Sequence, residues 1–199
     1  MHEKKIYFAT CNTGKVKYVQ EVLKKYDIDV SHYKLDLIEP RSNDLEEIAV
    51  AKVKQAFNLI NKPCIAIDSG FYIKELNNFP GSYVNFALET IGIEGILRLI
   101  ADEKRDCCFN NCLVYFDDIL ENPIIFNSKV NGQLAVSKKG KMQDYSWSEL
   151  FLLFIPEGEV LTLGEMDRNY FNSWRQENRT DSSAELFGKW YTEYLNHYL

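Results

Sequence analysis

Three short segments carry residue types that together suit phosphate chemistry. The first, Thr10-Cys11-Asn12-Thr13-Gly14-Lys15, follows an apolar run and opens a helical pattern. Backbone N–H groups at a helix start attract anions, and a lysine there adds a full positive charge. It is not a Walker A loop: Ala9 stands where that motif needs a glycine, and Val16 follows the lysine in place of Ser or Thr. A solvated turn lysine is the plain alternative. The second segment is Glu46-Glu47 in the first turn of a helix, where acids either serve a ligand or offset the helix dipole. The third is Asp68, which ends the apolar run Cys64-Ile65-Ala66-Ile67 and precedes Ser69-Gly70, a tight-turn pair. Ligand sites in open α/β sheets lie at such strand ends, so Asp68 is a ligand or base, or else a cap. Read as one site, the lysine takes phosphate and the carboxylates take a hard cation. Magnesium bridges one or two carboxylates to substrate phosphates in this way.

The elements that must position these groups follow from periodicity. Residues 5–10 read as a buried strand, and residues 15–26 as a helix with Val16, Val19, Val22 and Leu23 inward. Residues 28–38 read as a second strand ended by Pro40. Asn43 or Asp44 caps a helix to about Asn61 whose core face is Leu45, Ile48, Ala49, Val53, Ala56 and Ile60. Residues 64–67 form a short interior strand. Residues 71–83, with Asn77-Asn78 and Pro80-Gly81, form a loop or short strand with a turn. Residues 84–101 form a helix broken near Gly92 and Gly95. Residues 107–116 and 123–137 alternate as antiparallel strands do, with turns at 117–122 and at Asn131-Gly132. Leu150–Ile155 reads as a strand and Asp181–Leu199 as an amphipathic helix. The sum is an α/β fold with a mixed sheet flanked by helices.

Composition narrows the classes. The 199 residues suit one domain, or one domain in two lobes, and 46% hydrophobic with 26% charged residues excludes a disordered chain or a coiled coil. No run approaches the length of a membrane span, and the N-terminus carries no secretory signal. With 29 acidic against 23 basic residues the net charge is −6, which argues against general nucleic-acid binding and leaves room for a small phosphorylated ligand. Five cysteines, an odd number, read as reduced thiols of a cytoplasmic protein. The three histidines, at positions 2, 32 and 197, lie far from Cys107, Cys108 and Cys112 in the sequence, so zinc is not expected. Those cysteines read instead as small apolar residues of a strand.

Four motifs in order over residues 5–100 carry a family resemblance. The opening KIYFATCNTGK is similar to a strand–loop–helix signature, T-x-N-x-x-K, here Thr10, Asn12 and Lys15. Glu47-Ile-Ala-Val-Ala-Lys52 resembles an E-N-A-x-x-K helix motif, Asp68-Ser-Gly70-Phe a D-S-G-L motif, and Pro80-Gly81-Ser82-Tyr83 a P-G-x-Y turn. Together they resemble the inosine/xanthosine triphosphate pyrophosphatase family. The resemblance implies an elongated two-lobed α/β fold, a homodimer and a requirement for Mg²⁺. It also implies hydrolysis of a nucleoside triphosphate between the α and β phosphates, giving a monophosphate and pyrophosphate. By motif, Lys15 and Lys52 bind phosphates, with Thr10, Asn12, Ser69 and Gly70 completing that end. Glu47 and Asp68 hold the metal, and Asp68 orients or activates water. Lys52 lies roughly 140° around the helix from Glu47, at about 100° per residue, so it must reach round to share a ligand. Asp68→Asn is expected to abolish turnover with little change in melting temperature.

The chain also departs from that pattern. Ile67 stands where many relatives carry an acid. The family reads the purine with an aromatic–Gly–aromatic–Asp segment, and here stands Tyr145-Ser146-Trp147-Ser148-Glu149. Its later S-H-R segment corresponds to Ser173-Trp174-Arg175 or to residues near Arg179, with no histidine in either register. Tyr145, Trp147, Ser148, Glu149, Arg175 and Arg179 are the base-binding candidates. Of these, Tyr145 and Trp147 either stack on a base or pack in the core. Changed polar partners imply altered base choice. Two other readings use the same residues: a nucleotide-binding protein without turnover, and a hydrolase of another phosphate-ester class.

Overall fold

A computed structural model describes residues 4–101, 103–179 and 181–198. Seven strands form one sheet in the order β2 (Asp29–Tyr33), β1 (Lys5–Ala9), β3 (Cys64–Ile73), β5 (Asp106–Phe116), β6 (Ile124–Leu134) and β7 (Phe154–Pro156), with β4 (Pro80–Gly81) on β3. The chain divides into two compact units.

The first unit comprises residues 1–68, 111–128 and 179–199. β1 (Lys5–Ala9) pairs in parallel with β2 (Asp29–Tyr33) and with β3 (Cys64–Ile73). α1 (Thr13–Leu23) buries the four residues its periodicity predicts, then tightens into a 3₁₀ turn over Lys24–Tyr26. α2 (Leu45–Ile60) starts at Asp44, whose carboxylate accepts from Glu46 N–H at 2.8 Å. It ends at Asn61 in the left-handed region, φ 51°. Alternation along the strands shows which helix covers which face. Ile65, Ile67, Leu113, Tyr115 and Phe126 join one core with α1 and with Phe187 and Tyr191 of α6 (Ser183–Tyr198). Side chains of the opposite parity meet α2: Phe116 lies edge-on to Phe57, and Asn127 bonds Glu46. Ala66 and Asp68 therefore face α2.

A buried carboxylate fastens α6 to the sheet. Asp117, 3% exposed, ends β5 (Asp106–Phe116) and accepts from Tyr115 OH at 2.7 Å and Tyr194 OH at 2.8 Å. Its other oxygen accepts from Ile119 and Leu120 N–H. Burial of the Tyr115 hydroxyl, with Tyr191 and Asp117 beside it, pushes its pKa far up and keeps it a donor. Asp117→Ala strands two buried hydroxyls and should remove about 3–5 kcal/mol. At the size of this chain that lowers the melting temperature by roughly 10 °C, and thermal denaturation would measure it.

The second unit, 69–110 with 129–178, has its own core. β4 (Pro80–Gly81) pairs with β3, and α3 (Val84–Thr90) and α4 (Gly92–Leu99) follow. Gly92, at φ 64°, breaks the helix where the sequence predicted. Phe71, Ile96, Phe109, Phe154 and Trp174 fill the centre.

Several elements differ from the sequence reading. β2 stops at Tyr33 because its partner β1 ends opposite, at Ala9. β3 does not end at Ile67 but runs ten residues, nine of them buried, so Asp68-Ser69-Gly70 is extended chain and no turn. Gly70 serves close approach instead: a Cβ there would meet the Tyr72 ring at 2.7 Å. Asn131-Gly132 lies inside β6 (Ile124–Leu134), where a Cβ on Gly132 would strike the Ile155 carbonyl of β7 (Phe154–Pro156) at 2.3 Å. Residues Glu149–Leu152 form a 3₁₀ turn capped by Ser148, leaving a strand of three residues. α5 (Arg168–Asn178) is a helix the sequence reading did not include. Its signals are Asp167, which accepts from Tyr170 N–H at 2.8 Å, and the inward pair Phe171 and Trp174. The last helix begins at Ser183, and Leu199 lies outside the described residues.

Candidate active site

The first unit brings Lys15, Lys52 and Asp68 together and adds Glu39. Asp68 lies three residues beyond Ile65, the partner of Phe8, and so past the end of β1 while β3 continues. The carboxyl-end position expected for a ligand site thus holds with respect to β1. Lys52 faces the sheet from α2. Its Nζ lies 3.1 Å from Asp68 Oδ1 and 2.6 Å from Glu39 Oε1. Burial disfavours the ammonium, but Asp68 and Glu39 outweigh it and hold the Lys52 pKa above its usual value.

Lys15 enters from the first turn of α1. The residue as a whole is half-buried, but protein atoms crowd its ammonium group. That desolvation pushes its pKa down to about 8, against the pull of Asp68; Lys52 adds to the lowering and Glu39 opposes it. A buried ammonium with a depressed pKa and a second cation in its field is a place where an incoming anion gains most.

Thr10 and Asn12 shape the loop. Thr10 Oγ1 accepts from Asn12 N–H at 3.1 Å, and Asn12 Oδ1 caps α1 by accepting from Lys15 N–H at 3.0 Å. His32 of β2, considered in the sequence only against zinc, adds a brace. Its Nε2 donates to the Thr10 carbonyl at 2.9 Å, since a carbonyl can only accept.

The carboxylates of α2 divide. Glu47 accepts from Ser42 Oγ at 2.6 Å, and Glu46 from Asn127 Nδ2 at 2.5 Å. No group of three or more His, Cys, Asp or Glu side chains converges among the described residues. Ile67 points into the apolar core under α1 and α6.

Ser69, Gly70 and most base-binding candidates belong to the second unit. Tyr145 is a core residue: its ring stacks on Phe171 at 3.8 Å, and its hydroxyl lies 2.8 Å from the Leu163 carbonyl and 2.6 Å from that of Met166. One face of the Tyr145 ring and its hydroxyl are thus engaged in packing. Trp147 is half-buried, edge-on to Phe109 and Phe151. Ser148 caps the 3₁₀ turn that begins at Glu149, an exposed acid. Arg175 lies over the Phe171 ring at 5.7 Å on α5, and Arg179 belongs to the first unit.

All five cysteines are free thiols, Cys64, Cys107 and Cys112 being buried. Burial pushes the Cys64 and Cys112 thiols up to about 12. Among the described residues no helix is long and apolar enough to cross a membrane.

Known proteins match this arrangement along its length. A dITP/XTP pyrophosphatase of Methanopyrus kandleri is 34% identical over 188 residues, 94% of this chain and 96% of that protein. One of Saccharolobus solfataricus is 33% identical over 195 residues, 98% of this chain and 95% of that protein. The solved Ham1 protein of Staphylococcus aureus shares the fold with a TM-score of 0.74 at 22% identity, covering 98% of this chain and all of that one. The model of the Ham1 family matches residues 6–181, which take in Lys15, Lys52 and Asp68. With that match and with relatives a third identical over nearly their whole length, this chain belongs to the Ham1 family.

Proposed function

We propose that the protein is a Mg²⁺-dependent nucleoside triphosphate pyrophosphatase that releases a monophosphate and pyrophosphate. The observation that carries this reading is the alternating cluster Lys15, Asp68, Lys52 and Glu39, with the two lysines poised for phosphate oxygens. The dITP/XTP pyrophosphatase activity named for its relatives supports a non-canonical purine nucleotide as substrate.

Glu47 and Asp68 offer carboxylate oxygens, the donor type magnesium takes, and fit an ion whose other ligands are water and substrate phosphates. Bound there, Mg²⁺ would polarise phosphoryl oxygens and offset charge developing in the transition state. Lys15 and Lys52 hold the triphosphate so that its α–β linkage is fixed in place. Asp68, oriented by Lys52, aligns the attacking water and takes its proton. The backbone N–H groups at the start of α1 add anion affinity, because Asn12 and Thr10 hold that loop in shape.

Base recognition is retuned in this reading. Trp147, Ser148, Glu149, Arg175 and Arg179 are the side chains to vary, since Tyr145 is engaged in packing. The protein acts as a cytoplasmic homodimer. Its free thiols suit a reducing compartment, and Tyr83 and Phe86 expose an apolar surface on and just before α3.

Pyrophosphate release from ITP, XTP, dITP, the standard triphosphates and modified pyrimidine triphosphates tests the reading. Turnover of ITP, XTP or dITP supports it as stated. Turnover of another triphosphate alone assigns a different base. Binding without turnover across the panel overturns catalysis in favour of a nucleotide-binding protein.

A further inference from the structure

We propose that His32 is a positioning residue for the phosphate-binding loop, and that its bond to the Thr10 carbonyl sets how tightly that loop holds a phosphorylated ligand. This rests on reading Thr10–Lys15 as the phosphate-binding loop. β1 and β2 pair in parallel from Lys5 with Asp29 to Ala9 with Tyr33, and Thr10 N–H adds one more rung to the Tyr33 carbonyl at 3.2 Å. There the ladder stops, because β2 ends at Tyr33. Had the pairing continued, the Thr10 carbonyl would have gone to a backbone N–H further along that strand. The His32 side chain takes it instead, with Nε2 donating at 2.9 Å. Cys11 Sγ donates to the Leu35 carbonyl at 3.3 Å, so three bonds tie the loop to β2 and to the chain that follows it.

The three bonds differ in what they fix. The rung at Tyr33 extends the strand ladder, and a thiol is a weak donor. His32 grips the peptide that joins Thr10 to Cys11. That peptide is trans, so its carbonyl and the Cys11 N–H point opposite ways. Holding the carbonyl on His32 therefore aims the Cys11 N–H away from the ring and stops the peptide from turning over. The bonds that follow are local to the loop and depend on that orientation. Asn12 N–H donates to Thr10 Oγ1 at 3.1 Å, and Asn12 Oδ1 accepts from Lys15 N–H at 3.0 Å. His32 thus stands at the head of a series of contacts that ends at Lys15, whose ammonium lies in the fields of Asp68 and Lys52. Without the imidazole donor the peptide gains a second orientation, and part of the binding free energy goes into selecting the first. His32 is exposed and sits on an edge strand, so its side chain fills no core. That placement favours a role in shaping the loop over one in holding the fold.

Calorimetric titration with inorganic pyrophosphate, in Mg²⁺ at fixed ionic strength, tests this on the wild type, His32→Gln, His32→Phe, Val30→Ala and Lys15→Met, with the melting temperature of each measured alongside. The Gln amide can place a donor where Nε2 stands, and Phe keeps a ring without the donor. His32→Phe is expected to weaken binding about 5-fold, the scale of one neutral hydrogen bond, whereas His32→Gln is expected to stay within about 2-fold of the wild type. Val30 is buried on the same strand, so Val30→Ala is expected to lower the melting temperature and leave affinity unchanged. Lys15→Met is expected to weaken binding more than any of these. Wild-type affinity in His32→Phe, equal losses in His32→Phe and His32→Gln, or equal losses in His32→Phe and Val30→Ala, with Lys15→Met still weakened, overturns the positioning role and leaves the loop a phosphate site. Wild-type affinity in Lys15→Met overturns both readings.

Discussion

Asp68→Asn should lower turnover by about 10³-fold or more, because in the proposed mechanism one substitution removes a metal ligand and the acceptor of the water's proton. The Asn keeps the shape of the carboxylate and can still accept from Lys52, so substrate affinity should fall far less than the catalytic constant. Single-turnover and steady-state measurements on the purified variant separate the two, and a wild-type rate would sink the assignment. The structure also puts a size on the expected small change in melting temperature. Asp68 lies 3.1 Å from Lys52 and in the field of Lys15, so its charge offsets two partly buried cations. Removing one partner of a buried pair is destabilising, but Glu39 remains on Lys52 and softens the loss. A cost of about 1–2 kcal/mol follows, or a fall of a few degrees in melting temperature. Calorimetry on the metal-free protein would read it directly.

Lys15→Met should move stability and function in opposite directions. Loss of a charge-assisted contact to phosphate should weaken nucleotide binding by roughly 10²-fold. Stability should rise. Burial holds the folded pKa of Lys15 at about 8, below the unfolded value of 10.5. Between those values the unfolded chain binds more protons, so this group's contribution to stability increases as pH climbs from 8 to 10.5 and is least favourable below 8. Replacing the ammonium with an apolar isostere removes that penalty, about 1–2 kcal/mol at pH 7 after allowance for the half-exposed stem. The stability advantage of the variant over wild type should shrink above pH 8 and vanish near pH 10.5. Denaturant titrations at pH 7 and pH 10 check the sign. A less stable variant at pH 7 would show that the Lys15 ammonium is well satisfied in the free protein.

The legible parts of the fold were those with strong local periodicity. α1 and α2 buried the predicted faces save for half-exposed Ile60, and Asp44 and Asn61 bounded α2 as their residue types suggested. The illegible parts were set by partners distant in sequence. Nothing local says that β3 continues through a charged residue; Asp68 stays in the strand because Lys52, 16 residues earlier, meets it. Asn131-Gly132 looks like a turn and is strand because β7 packs against the missing Cβ. α5 was missed although its cap and apolar pair were visible. At the site, four motifs identified the family and pointed to two lysines and two acids; Lys52 meets Asp68 with Lys15 in their field, whereas Glu47 is bonded by Ser42. Glu39 was not found that way, since it lies in an irregular segment and reaches Lys52 from a stretch where Gln55 of α2 bonds the backbone of neighbouring Ile38. His32 was weighed only as a zinc ligand, and its bond to the Thr10 carbonyl depends on the register of β1 with β2.

The seating of α6 has a consequence for synthesis of the chain. Lys15, Lys52 and Asp68 all emerge from the ribosome long before Phe187, Tyr191 and Tyr194, which complete a core of the same unit. Until those residues arrive, β1, β3 and α1 have an apolar face with nothing to cover it, and Asp117 lacks one of its two tyrosine donors. The second unit, by contrast, draws on residues that end at 178 and can close its core first. The cluster of Lys15, Lys52 and Asp68 is thus encoded early and its unit completed late, a vectorial order in which that part of a nascent chain waits longest for its covering residues.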